Sequence, residues 1–317
     1  MEFLIVILIM VLFVVGITAA NKSKNRGLSL KNTPLPDDLG LQIEAALAIE
    51  KKLEQTLPFS YEENVLNRVL HEYPKTTSFE VDWAIYELKR YFVMNAILKS
   101  VPMFSAKADE VWHEMLMFTR EYQQFSNQFY GGYLHHAPNL DAEPIPGKRA
   151  FFDWVYISLF KVEENSKIIW GGFLKNAIKQ EILEDFYHLD ERALLDKYFK
   201  AGDEFMDVKM YLIHKMKDDM IDAKRLKDNG DVFTLDKGTS NSQVYMYASS
   251  AVIFYSLYEP DLFEEHMNEL LPKEMTKDHY SGGSSCSGFG CSSSSDSDSG
   301  GGGGSSCSSC GGGGCSS

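Results

Sequence analysis

Residues 3–20 read FLIVILIMVLFVVGITAA, a run of eighteen residues without a charge, and no soluble fold easily accommodates it at the start of a chain. As a helix it would span about 27 Å at the usual rise per residue, close to the hydrocarbon thickness of a bilayer. A cleaved secretory signal is the alternative, since Thr18-Ala19-Ala20 loosely resembles a cleavage site. The leading region, however, carries Glu2 and no basic residue, while Lys22, Lys24 and Arg26 follow directly. That arrangement predicts an uncleaved single-pass helix in the cell membrane, with the basic flank holding the following body in the cytoplasm. The membrane lipid bilayer is thus the expected partner of residues 3–20, and residues 1–26 form an anchor with its flank.

The remainder divides by composition. Residues 27–36 form a linker with two prolines, Pro34 and Pro36. Residues 37–137 read as one helical lobe, residues 138–147 as a Pro-rich loop, and residues 148–280 as a second helical lobe. Residues 281–317 collapse to Gly, Ser and Cys, with too little apolar surface to offset ordering entropy, and predict a disordered tail. All five cysteines, Cys286, Cys291, Cys307, Cys310 and Cys315, lie in that tail, so no disulfide staples the body. Cys307-x-x-Cys310 has metal-ligand or redox spacing, but nothing apolar surrounds it to pack a zinc knot. A formal net charge of -14 argues against nucleic acid as a partner, because phosphates select basic surfaces.

Helical periodicity dominates the body, and no stretch alternates as a strand would; the fold class is all-α. Asp37 and Asp38 would cap a run extending to Leu57. Ser60 with Glu63 suggests a capping box, ahead of a stripe at Leu66, Val69, Leu70 and Tyr73. Thr77 or Ser78 caps the next helix, in which Val81, Ala84, Ile85, Leu88 and Phe92 face a core while Glu87, Lys89 and Arg90 face water. Met206, Met210, Ile213, Met216 and Met220 fall at helical spacing, a pattern typical of core filler. Residues 244–258 are too short and too polar for a second span, and predict a buried helix. A last amphipathic helix follows Pro260.

Residues 109–138 concentrate the potential chemistry. A single helix over residues 106–129 would align Val111, Met115, Phe118, Tyr122, Phe125 and Phe129 as a core stripe. His113 then lies opposite that stripe, between Asp109 and Arg120, with Trp112 and Leu116 at its flanks. His135 and His136 arrive just after the Gly131-Gly132 stop, where a short return would bring one of them back to the helix. Asp109, His113, His135 and His136 together would supply nitrogen and oxygen ligands suited to a divalent metal such as Zn, Fe or Mn. The competing reading is structural: Asp109 accepts a bond from His113 or pairs with Arg120, and the later histidines pin the turn.

The motifs D-E-V-W-H at residues 109–113, F-T-R-E-Y at residues 118–122 and H-H-x-P at His135, His136 and Pro138 resemble the helical domain of bacterial glycine-rich-domain-containing proteins. The Gly/Ser/Cys tail fits the same description. The resemblance spans residues 60–140 and implies an all-α fold; it carries no activity or cofactor with it. Three functions remain open. The first is a membrane-anchored interaction or scaffold protein with a protein partner, favoured by the lack of a strong catalytic motif. The second is a metal-dependent enzyme at the histidine cluster. The third is thiol or metal handling through the tail cysteines.

Overall fold

The computed structural model describes residues 30–136, 146–171, 173–230 and 241–271. Twelve α-helices and three short 3-10 turns account for their regular structure, with no strand beyond two isolated bridges, Leu41–Phe160 and Leu98–Phe199. The all-α expectation holds. Among the described residues no helix is long and apolar enough to cross a membrane. The apolar run at residues 3–20, most of the Pro-rich loop and the whole Cys-containing tail lie outside them.

The helices are α1 (Leu47–Thr56), α2 (Phe59–Glu72), α3 (Ser78–Ile97), α4 (Ala106–Met117) and α5 (Thr119–Tyr130). They continue with α6 (Pro146–Leu159), α7 (Glu164–Trp170), α8 (Gln180–His188) and α9 (Glu191–Tyr198). The last three are α10 (Met206–Asn229), α11 (Asn241–Tyr258) and α12 (Phe263–Leu270). One hydrophobic cluster runs from Leu39 to Leu271 and draws on both expected lobes, so the two share a single core. The methionine stripe of α10 enters it through Ile213, Met216 and Met220. The serine-bearing α11 is buried as its composition suggests, with Ser256 accepting from the Ile178 amide at 3.0 Å and Ser250 donating to Asp219 at 2.6 Å.

Helix α3 is the axis of the bundle. It starts with a complete capping box, Thr77 with Glu80, which satisfies amides at its N-terminus. Its expected polar face is not polar in its surroundings. Only Lys89 stays near solvent, paired with Glu62 at 2.6 Å, whereas Glu87 and Arg90 are fully buried. Each charge is answered inside the protein. Arg90 donates from Nε to the Leu39 carbonyl (2.8 Å) and from its terminal nitrogens to Tyr156, Ser166 and Tyr86. Glu87 accepts from Tyr156 at 2.6 Å and from the Trp170 indole at 2.7 Å. Elements from both halves thus wrap α3 on all sides, and its charged residues become the internal fasteners. A water-facing assignment based on residue type fails for that reason.

The same network explains why no α-helix starts at Asp37, where the chain makes only a 3-10 turn, Asp38–Gly40. Residues 30–43 instead run as a strap across the bundle. Asn165 pairs with both backbone groups of Lys31, accepting from its amide at 2.7 Å and donating to its carbonyl at 2.9 Å. Gly40 sits at φ +61°, and a Cβ there would lie 2.5 Å from Arg90, so the guanidinium needs a glycine at this crossing. Gln42 then donates from its side chain to the carbonyls of Ile157 and Phe160, which seals the strap to the end of α6. The Ser60–Glu63 box is also absent: α2 starts at Phe59 behind Pro58, which leaves Ser60 inside the first turn.

Candidate metal centre

Helix α4 carries the first two residues of the cluster. Ser105 caps it by accepting from the Ala108 amide (3.1 Å), and its hydroxyl is itself fixed by the Ile169 carbonyl at 2.8 Å. Ala108, Val111, Trp112 and Met115 are buried, which turns Asp109 and His113 to the rim of the bundle. The expected continuous helix breaks at Phe118, whose ψ of 66° ends α4 and opens α5. The break lets the aromatic stripe bend with the core. Phe118 packs edge-on against Tyr61, while Phe125 reaches Phe92 at 5.2 Å between ring centroids. It also carries the exposed Arg120 onto a separate helix, so the Asp109–His113–Arg120 ladder does not form.

Helix α5 ends at Gly131, which takes the left-handed conformation (φ +73°) that lets the chain reverse. The return segment is tied back to α5 by two side chains. Ser126 donates to the Gly132 carbonyl at 3.0 Å and accepts from the Leu134 amide. Tyr122 donates to the Leu134 carbonyl at 2.7 Å and accepts from the Trp112 indole at 3.1 Å. Burial pushes the Tyr122 phenol well above its ordinary value, so it remains a donor.

These ties bring His136 onto α4. Its ring stacks on Trp112 at 4.3 Å with planes 4° apart, and lies 4.7 Å from the ring of His113. His136 Nε2 stands 2.9 Å from Asp109 Oδ1, and His113 Nε2 stands 3.8 Å from Asp109 Oδ2. One ligand atom from each of Asp109, His113 and His136 falls within 4.8 Å of the other two. His135 does not join them. Its ring is exposed and packs beside Tyr133 at 4.9 Å, because adjacent residues on an extended return point to opposite sides.

The burial of the three is graded. The His136 side chain is 8% exposed, that of Asp109 25% and that of His113 49%. Asp109 Oδ1 and His136 Nε2 are both buried and form an ion-pair contact with each other at 2.9 Å, with no further hydrogen-bond partner among the described residues. Ligand atoms bound cis to one ion at bond lengths near 2.1 Å would be separated by about 3 Å; the His136–Asp109 pair stands at that spacing, while His113 is further from Asp109, at 3.8 Å. The donor set fits a borderline divalent metal, and the half-exposed edge at His113 leaves coordination positions open.

Trp112, Tyr122 and Ser126 complete the centre, and sequence reasoning placed the first two only as stripe or flank residues. Ser126 had one visible signal, a small polar residue within the otherwise aromatic run Tyr122, Phe125 and Phe129. The Leu134 carbonyl that ties the turn leaves no mark on the sequence.

A family model described as UCP032817-like matches residues 51–144, the stretch that runs from α1 through the return segment and contains Asp109, His113 and His136. The chain is similar to that family over this part. No curated protein and no solved structure matches the chain.

Proposed function

We infer that the chain is a membrane-tethered, all-α protein whose body binds a divalent transition metal through Asp109, His113 and His136. The observation that carries this reading is the convergence of one ligand atom each from Asp109, His113 and His136 within 4.8 Å of one another, with His136 and Asp109 buried and 2.9 Å apart. Bound there, the metal would act as a Lewis acid with room for water or a substrate oxygen at its open side. His136 and Asp109 form the fixed part of the site. His113, half-exposed and parallel to His136, turns about its own side-chain bonds to complete it.

The tether rests on the uncharged run at residues 3–20 and its basic flank, and it places the metal-binding body at a cytoplasmic membrane surface. Kinship with bacterial glycine-rich-domain-containing proteins rests on the motifs at residues 109–113 and 118–122 and on the His135-His136 pair, which frame the same centre. In this reading the tail cysteines are a separate feature rather than a source of ligands for the centre.

The test is metal stoichiometry of the purified full-length chain with Cys286, Cys291, Cys307, Cys310 and Cys315 changed to serine. Elemental analysis after exposure to zinc, ferrous or manganous ion and desalting should find a single bound ion per chain. His136→Ala and Asp109→Ala should lose it. A folded parent protein that retains none of the three metals would refute the reading.

A further inference from the structure

The metal ligands differ in how they are held. Asp109 and His113 are placed by one helix, an i, i+4 pair whose spacing needs nothing else. His136 lies on a return segment with no helix of its own, yet it is the most buried of the three. Something must hold it at 2.9 Å from Asp109. Besides the Asp109–His136 contact itself, the polar connections to that segment among the described residues run through Ser126 and Tyr122, both on α5. Tyr122 does so from the middle of a relay. The Trp112 indole donates to its hydroxyl, the hydroxyl donates to the Leu134 carbonyl, and the face of Trp112 carries the His136 ring.

We propose that Tyr122 is the positioning residue of the metal centre: its hydroxyl sets the backbone two residues ahead of His136 and, through Trp112, the plane of the His136 ring. This rests on the metal reading above and names how the site is set. The hydrogen bonds of the Tyr122 hydroxyl go to Trp112 and Leu134 rather than to a ligand atom. Its ring is fully buried and packs edge-on against Phe125 and Tyr133, so the hydroxyl has little freedom to move. A buried phenol with one donor and one acceptor contact at 2.7 and 3.1 Å is fully committed, and transmits position without slack. Outer groups that orient a metal-bound histidine commonly change metal affinity by about 10–100-fold when removed.

The test uses the full-length chain with the five tail cysteines changed to serine, with cobalt(II) as probe. Tyr122→Phe keeps the ring and removes the hydroxyl. The expected result is a folded protein with cobalt affinity lowered by roughly 10–100-fold. Its visible absorption spectrum should also be shifted in position or intensity, which a merely structural tyrosine would leave alone. Affinity and spectrum equal to the parent's would overturn the proposal while leaving the metal site standing. A parent that binds no cobalt would instead remove the metal reading, and the proposal with it. Should Tyr122→Phe fail to fold, Trp112→Phe breaks the same relay while keeping an aromatic face under His136. Weakened cobalt binding there supports the relay, and unchanged binding overturns it.

Discussion

The Tyr156 hydroxyl stands between the two charges of a fully buried ion pair, accepting from Arg90 and donating to Glu87 with 2.6 Å on each side. The direct Arg90–Glu87 approach is longer, at 3.4 Å, so the phenol from α6 mediates much of the contact between two residues of α3. A fastener of this kind couples the halves of the chain on either side of the Pro-rich loop. Tyr156→Phe removes two hydrogen bonds to charged partners, and should lower unfolding stability by about 2–4 kcal/mol in urea titrations. Glu87→Ala leaves the guanidinium unpaired in the core and should cost about 3–5 kcal/mol. Losses below about 0.5 kcal/mol for both would mean that the network contributes little to holding the halves together.

Metal should stabilise the body as well as bind to it. Zinc at about a hundred times its dissociation constant would add about 2.7 kcal/mol to the folded state by mass action. Thermal unfolding followed by circular dichroism should show a higher midpoint with zinc, and Asp109→Asn should remove most of that gain. An equal zinc response in Asp109→Asn would place the ion elsewhere.

The two neighbouring histidines separate cleanly. His135→Ala should retain the parent's metal content, since its ring faces away beside Tyr133. His136→Ala should lose it. Elemental analysis of the two purified variants decides the point, and loss in both would mean that the return segment as a whole, not the His136 ring, is what the metal needs.

Acid–base behaviour should mark the crossing of the strap over α1. Burial, assisted by the charges of Asp38 and Glu54, pushes the Glu50 carboxyl up to about 7, against the opposing pull of Lys89. A carboxyl raised in the folded state binds its proton more tightly there than in the unfolded chain. The destabilisation from its ionisation is therefore absent at low pH, grows as pH passes the unfolded value, and is complete above the folded one. Glu50→Gln should match the parent near about pH 4 and melt progressively higher than it from about pH 5 to about pH 8. A pH-independent difference would show that Glu50 is not titrating in this environment.

Much of the architecture was legible from periodicity alone. Thr77 and Glu80 start α3 where a capping signature predicts, and Ile213, Met216 and Met220 of α10 enter the core as their spacing implies. Of the site, Asp109 and His113 were legible because they lie one helical turn apart, a relation that sequence carries directly. What escaped was whatever depends on a distant partner. Glu87 and Arg90 look solvated until α6 and α7 supply Tyr156, Trp170 and Ser166 to answer them. The break at Phe118 depends on packing against Tyr61 and the core, not on a proline or glycine. The difference between His135 and His136 follows from one residue of register on an irregular return, where no periodic rule applies.

The strap at residues 30–43 also has a mechanical consequence. Asn165 grips Lys31, Trp83 donates to the Thr33 carbonyl, Arg90 holds Leu39, and Gln42 closes onto α6. Tension applied ahead of Lys31 would meet these attachments before it reached α1. A pull arriving along the strap is therefore delivered to buried residues of α3, α6 and α7 at once, rather than to the end of a single helix.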